Sequence, residues 1–159
     1  MKRNEKTIEV LNDLIRINRD RVEGYETAAR ERKELDPEIR NLFYSLSGEG
    51  RSFVNDLHAE VLRLGGVPVS GATISGRLYL FWLDMKSEFL GGYTGNDSYS
   101  LLTTAETGEE AIQKAYRQAV SLGVDLPENI ERLIERQGYR LKRSHTLMQK
   151  YREDHMVAK

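Results

Sequence analysis

Apolar residues recur at alternating spacings of three and four along four long segments of this 159-residue chain, which is the period of one face of an α-helix. Capping residues agree with this pattern, since Asp36 and Pro37 can open the second segment and Gly65 and Pro68 can close it. No segment alternates with the period of a strand over a useful length. The sequence therefore predicts an all-α protein with long helices over residues 7–32, 37–64, 98–122 and 126–152.

The link between the second and third of these helices is much longer than the other two links. It contains apolar residues at helical spacing, so we expect a short helix over residues 77–90. A crossover of this length can carry the chain from one end of a bundle to the other, so that the flanking helices run parallel. The sequence predicts a single four-helix-bundle domain over residues 1–159, with the short helix in the crossover.

Each long helix has one position near its middle where the apolar stripe is interrupted. These positions are Asn18, Gly50, Glu109 and Gln137. Glu109 needs a partner from another helix, because a buried carboxylate costs several kcal/mol unless it is paired, protonated or bound to a metal. Tyr25 and Tyr116 follow the interruption in their own helices at the same spacing, so the first and third long helices form a weak internal repeat.

A glycine inside a helix costs about 1 kcal/mol relative to alanine, so Gly50 needs a packing reason. A large neighbour such as Phe53, or a tyrosine of another helix, can fill the position. Alternatively, the missing side chain leaves space for a small molecule beside the polar side chains.

The composition excludes several classes of function. The chain has 24 basic and 25 acidic residues, so no overall positive charge points to nucleic acid. It has no cysteine, which excludes disulfides, cysteine-based zinc sites, iron–sulfur clusters and thiol nucleophiles. No apolar run is long enough for a signal peptide or a membrane span, so we expect a cytoplasmic protein that binds neither nucleic acid nor membrane.

These features resemble the ferritin-like superfamily, the bundles of bacterioferritin and rubrerythrin. More closely, nearly the whole chain is similar to an uncharacterised bacterial family of ferritin-like four-helix proteins. The resemblance is carried by Leu11-Asn12-Asp13-Leu14-Ile15, Gly24-Tyr25 with Ala28-Ala29, Leu64-Gly65-Gly66-Val67-Pro68, Gly108-Glu109-Glu110-Ala111 with Tyr116, and the spacing from Gln137 to His145. It implies a bundle with two irons at mid height and a role in the bacterial stress response.

Carried onto this chain position by position, the iron site that the resemblance implies is mostly absent. The superfamily places one glutamate on each helix and a histidine three residues later on two of them. The other glutamate positions here hold Asn18, Gly50 and Gln137, and the histidine positions hold Phe53 and Arg140. Only Glu109 remains, so we expect a polar core without a metal cofactor, in which Arg140, Asn18 and Gln137 hold this carboxylate.

Three functions from different classes stay open. The first is a structural or interaction module that is not an enzyme. The second is a di-metal oxidase or iron-handling protein with displaced ligands, which would add Glu23, Glu26, Glu49, Glu106 and His145 to Glu109. The four added glutamates are otherwise expected on solvated faces, and His145 is otherwise expected to make a capping or interhelical hydrogen bond. The third is a small-molecule binder that uses the polar layer beside Gly50.

The short crossover helix carries large apolar side chains that either pack onto the bundle or form a dimer interface. These are Leu78, Phe81, Trp82 and Phe89. Tyr79, Leu80 and Leu83 occupy its other side, and a short helix has few ways to bury two apolar faces within one chain. We therefore expect a homodimer.

Overall fold

The structure is a computed structural model, and it describes residues 2–33, 35–69, 76–87, 98–122 and 124–157. Within these ranges it contains five helices and no strand. The helices are α1 (Lys2–Glu31), α2 (Pro37–Arg63), α3 (Arg77–Ser87), α4 (Ser98–Ser121) and α5 (Glu128–Val157). The prediction of an all-α helical bundle is confirmed.

The ends of α2 follow the capping residues of the sequence. The side chain of Asp36 accepts a hydrogen bond from the backbone N–H of Glu38 at 3.0 Å, and Pro37 occupies the first turn. Gly65 has a φ of 81°, and the backbone N–H of Gly66 reaches the carbonyl of Val61 at 2.9 Å. This left-handed position is strained for any residue with a side chain, so glycine closes the helix here.

Two helix ends differ from the predicted bounds. α1 begins at Lys2, before the predicted start at residue 7, and Thr7 is fully buried inside the helix. α5 extends to Val157, beyond the predicted end at residue 152. There His155 contacts the carbonyl of Tyr151 at 2.8 Å and the carboxylate of Asp36 at 3.5 Å, which ties the last turns to the start of α2.

α1 packs mainly along α2, and α4 packs mainly along α5. Two apolar clusters fill the bundle at different heights. The first cluster contains Leu11 and Ile15 of α1 with Ile134 of α5, and the second cluster contains Ala29 of α1 with Met148 of α5. Both α2 and α4 pass from the second cluster to the first, so they run parallel, as the long connection between them requires.

Two aspartates of α1 hold α3 against the bundle. Asp13 accepts hydrogen bonds from the backbone N–H groups of Gly76 and Tyr79, both at 3.1 Å, and so caps the start of α3. Asp20 accepts from the Tyr79 hydroxyl at 2.9 Å and from the Trp82 indole N–H at 3.0 Å. We call these five residues the α1–α3 seam. Because α3 covers the outer face of α1, residues 13–18 are all buried.

α3 buries part of the apolar set that the sequence offered as an interface. Leu78 and Trp82 lie in the first cluster at 1% and 3% exposure, so they pack onto their own bundle. Phe81 is half-buried, while Leu80 and Leu83 are exposed on the outer side. Phe89, the remaining member of that set, lies outside the described residues. None of the helices in the described ranges combines the length and apolar character needed to cross a bilayer.

Candidate functional site

A layer of polar side chains separates the two apolar clusters, and Glu109 of α4 lies at its centre with 1% exposure. Arg21 of α1 donates to both carboxylate oxygens of Glu109, from Nε at 2.9 Å and from Nη2 at 2.8 Å. The hydroxyl of Tyr25 donates to the same carboxylate at 2.7 Å. The charge of Glu109 is therefore compensated by a bidentate guanidinium, the strongest kind of ion pair that side chains form.

The residues expected to hold this carboxylate lie elsewhere in the layer, and Arg21 takes their place. The expected partners were Arg140, Asn18 and Gln137. Arg140 instead points outward, with Nε at 4.0 Å from a carboxylate oxygen of Glu49 and the guanidinium over the ring of Phe53. The side chain of Arg140 is half exposed, whereas that of Arg21 is 3% exposed. Arg21 lies beside the apolar stripe of α1, and it is buried because a second face of α1 is covered here.

Glu49 of α2 is the second carboxylate of the layer. It accepts from Nη2 of Arg21 at 2.9 Å and from the hydroxyl of Ser144 at 2.9 Å. Burial lowers the pKa of Arg21, but the adjacent Glu109 carboxylate outweighs burial and the net pKa is raised above its ordinary value. The guanidinium therefore stays charged, and it joins carboxylates from two different helices.

The neutral members of the layer form a separate hydrogen-bonded chain that touches all four long helices. Asn18 donates to the Tyr116 hydroxyl at 2.8 Å, and that hydroxyl donates to Gln137 Oε1 at 2.7 Å. The amide nitrogen of Gln137 then donates to the carbonyl of Phe53 at 3.3 Å. Burial raises the pKa of Tyr116 above its usual range, so its phenol remains a neutral donor.

Gly50 lets α2 approach α1 closely at the height of the layer. A Cβ atom at this position would lie 2.7 Å from Cγ2 of Val22 and 3.8 Å from Nη1 of Arg21. Val22 therefore occupies the space, where we expected either Phe53 or a tyrosine.

The acidic residues of the alternative metal set do not gather around Glu109, apart from Glu49. Glu23 is exposed on α1. Glu26 lies on the outside of the α1–α2 pair, where it accepts from Arg51 Nη2 at 2.6 Å and from the Ser47 hydroxyl at 2.6 Å. The Arg51 guanidinium lowers the pKa of Glu26 below its ordinary value.

His145 and Glu106 form a second polar contact between α4 and α5. Nδ1 of His145 lies 2.7 Å from the amide nitrogen of Gln113, and Nε2 lies 3.9 Å from a carboxylate oxygen of Glu106. Arg152 already pairs with Glu106 at 3.0 Å. Within the described ranges, no three histidine, aspartate or glutamate side chains are grouped so that they could hold one metal ion.

A pocket of about 310 Å³ opens beside the charged part of the layer, between α1, α3 and α4. Arg21, Tyr25 and Glu109 line it at its inner side, and Trp82 of the α1–α3 seam lines it from α3. Sequence reasoning missed both this pocket and Arg21. The available signal was the pair Gly24 and Gly108, which line the pocket from α1 and α4 and were noted only as parts of a resemblance.

Residues 6–122 fit a protein-family model described as "Domain of unknown function (DUF2383)". The match covers α1 to α4 almost completely and ends before α5, so Gln137, Arg140 and Ser144 lie outside it. No curated protein matches the chain.

Proposed function

We propose that this chain, which belongs to the DUF2383 family, is a metal-independent ferritin-like bundle with a structural or interaction role, and not an oxidase. The observation that carries the proposal is the guanidinium of Arg21. It lies within hydrogen-bond distance of Glu109 and Glu49, at the height where ferritin-like proteins hold two irons between carboxylates. A fixed organic cation thus supplies the positive charge that metal ions would supply.

The charges of the layer support this proposal. A di-iron centre needs several anionic oxygen ligands, and among the described residues the layer offers Glu109 and Glu49 alone. A metal ion that entered between them would displace Arg21 from its carboxylates and leave a buried guanidinium without compensation. Breaking a buried pair in this way costs about 3–5 kcal/mol.

The neutral part of the layer supports it too. The superfamily's glutamate positions on α1 and α5 are Asn18 and Gln137, and both amides are engaged with the Tyr116 hydroxyl. Amide oxygens are uncharged and weak ligands for iron. Binding iron through them would also break a hydrogen-bonded chain that is buried and hard to rebuild.

An anaerobic ferrous iron titration of metal-stripped protein, followed by exposure to air, tests the proposal. We expect no stoichiometric iron by metal analysis and no near-ultraviolet band of an oxo-bridged pair. Arg21→Gln should take up more iron than native protein, while Arg117→Gln on the exposed face of α4 should not. A di-iron stoichiometry in the native chain would refute the proposal and favour the oxidase or iron-handling alternative.

The family resemblance supports a bacterial protein with a role in the stress response, and the short apolar runs of the sequence support a cytoplasmic location. Survival of a deletion strain after peroxide exposure, with and without the complementing gene, tests the role in the stress response.

The homodimer is supported by the exposed side chains of Leu80 and Leu83, which lie one turn apart on α3. Sedimentation equilibrium of native protein and of a Leu80→Glu, Leu83→Glu variant should show a dimer that the variant loses, and a monomeric native chain would contradict it.

A further inference from the structure

The pocket between α1, α3 and α4 has the size and the lining of a small-molecule site. Its volume of about 310 Å³ lies at the lower end of the range that ligand pockets occupy. Small residues of α1 and α4, Ala28 and Ala105, leave it open, and the aromatic side chains of Tyr25 and Trp82 supply apolar surface. The pocket therefore favours a ligand with a compact apolar body.

Two of the four carboxylates that line the pocket are already compensated. Glu109 is paired with Arg21, whose Nη2 lies 2.8 Å from it. Asp20 has Nζ of Lys86 at 3.3 Å, besides the two neutral donors of the α1–α3 seam. These four groups cancel in pairs and leave no net charge toward a ligand.

The remaining charged residues of the pocket are Glu23, Glu31 and Arg32, which sum to a net charge of −1. Glu23 is exposed, and no salt bridge or hydrogen bond engages its carboxylate within the described residues. It lies one turn before Thr27 on the same side of α1, so both side chains border the pocket. The carboxylate of Glu23 can therefore pair with a cationic ligand at the mouth of the pocket, while Arg19, Arg30 and Arg51 line the neighbouring cleft that Glu23 also borders.

We propose that this pocket binds a small organic amine. The apolar body lies against Trp82 and Ala105, and the ammonium group lies beside Glu23, where it makes the ion pair that this carboxylate lacks among the described residues. Lys86 does not compete for Glu23, because it is held by Asp20. This binding does not depend on whether the polar layer holds a metal. Iron binding in the first titration would therefore refute the proposed function alone, and absence of amine binding would refute this inference alone.

Trp82 is the only tryptophan of the chain, so its fluorescence reports directly on occupancy of the pocket. We would titrate native protein with three probes that share one apolar body: 4-phenylbutylamine, 4-phenylbutan-1-ol and 4-phenylbutyrate. The amine should give a saturable change in Trp82 emission, the alcohol should bind more weakly, and the carboxylate should bind most weakly. Absence of saturation with the amine, or equal binding of the carboxylate, would overturn the proposal.

Three variants locate the ligand. Glu23→Gln should weaken amine binding by about threefold, as loss of an exposed ion pair does, and leave the alcohol unchanged. Thr27→Phe should block all three probes by filling the pocket. Glu110→Gln, at an exposed position of α4 away from the pocket lining, should bind the amine like native protein. Circular dichroism checks that each variant is folded, and an unaltered amine affinity in Glu23→Gln would show that the ammonium lies elsewhere.

Discussion

The polar layer and the α1–α3 seam use the same helix in different ways. In the layer, Arg21 forms an ion pair with Glu109, and both side chains are at most 3% exposed. In the seam, Asp20 is 18% exposed and accepts mainly from the neutral donors of Tyr79 and Trp82. The layer ties long helices together through the centre of the bundle, whereas the seam docks one short helix on its outside. We therefore expect the loss of a partner to destabilise the protein more in the layer than in the seam.

The pKa shifts of Arg21 and Tyr79 also distinguish the charged layer from the mainly neutral seam. In the layer, the Glu109 carboxylate outweighs burial and raises the pKa of Arg21, which keeps the pair ionised. In the seam, burial and the hydrogen bond to Asp20 raise the pKa of Tyr79 to about 12, which keeps its phenol neutral. A lost partner in the layer leaves a bare charge, and a lost partner in the seam leaves only an unsatisfied donor.

The largest effect should follow removal of the layer's guanidinium. Arg21→Met leaves Glu109 buried beside Glu49 without compensation, so we expect the free energy of unfolding to fall by about 3–5 kcal/mol. Urea denaturation followed by circular dichroism measures this. The double variant Arg21→Met, Glu109→Met removes both charges and should recover most of the loss. Equal losses in the single and double variants would mean that the pair matters through its shape and not through its charge.

A smaller and more local effect should follow removal of the seam's acceptor. Asp20→Ala leaves the Tyr79 hydroxyl and the Trp82 indole N–H without this partner, at a cost of about 1–3 kcal/mol. We expect Trp82 emission to shift to longer wavelength and amide exchange to accelerate in α3 more than in α4. Asp84→Ala, at an exposed position of α3, serves as the control. Uniform acceleration across all helices would mean that the seam supports the whole bundle, as the layer does.

The sequence could predict the layer because a charge interrupts an apolar stripe, and Glu109 is such an interruption. It could not predict the role of Arg21. This residue lies between Asp20 and Val22, beside the apolar stripe, where a solvent-exposed side chain is expected. α1 is buried on two sides here, since α3 covers the face that a simple bundle would expose. The period of one stripe carries no information about a second covered face.

The sequence could not predict the α1–α3 seam, for a related reason. Asp13 is 2% exposed and accepts from the backbone of Gly76 and Tyr79, more than sixty positions away. Backbone donors have no residue type, so no spacing or composition signals such a contact. Periodicity predicted the helices, and the length of the link predicted that α2 and α4 run parallel. The partners of individual charged side chains could be identified only in the structure.

An intermediate effect at the edge of the layer should come from Gly50→Ala. Alanine improves helix propensity by about 1 kcal/mol, but its Cβ would lie 2.7 Å from Val22 Cγ2, and overpacking typically costs about 1–3 kcal/mol. We expect a net loss of about 1 kcal/mol in urea denaturation. Adding Val22→Ala to Gly50→Ala removes the clash, so the glycine substitution should become favourable in that background. A stabilised single variant would mean that the two helices can separate at the layer without cost.

The smallest effect should come from an exposed ion pair on the same two helices, which sets the baseline for the comparison. Arg51 is 61% exposed and pairs with Glu26, so Arg51→Ala should lower stability by less than about 1 kcal/mol at pH 7. Because Arg51 lowers the pKa of Glu26 from its ordinary value of 4.5, the pair contributes fully above that pH. Its contribution is lost as the pH falls below 4.5 and Glu26 takes up a proton in the folded state. Urea midpoints of native and variant protein at pH 7 and in acid should therefore converge as the pH falls, and a difference that grows in acid would mean that Arg51 stabilises α2 by a route other than Glu26.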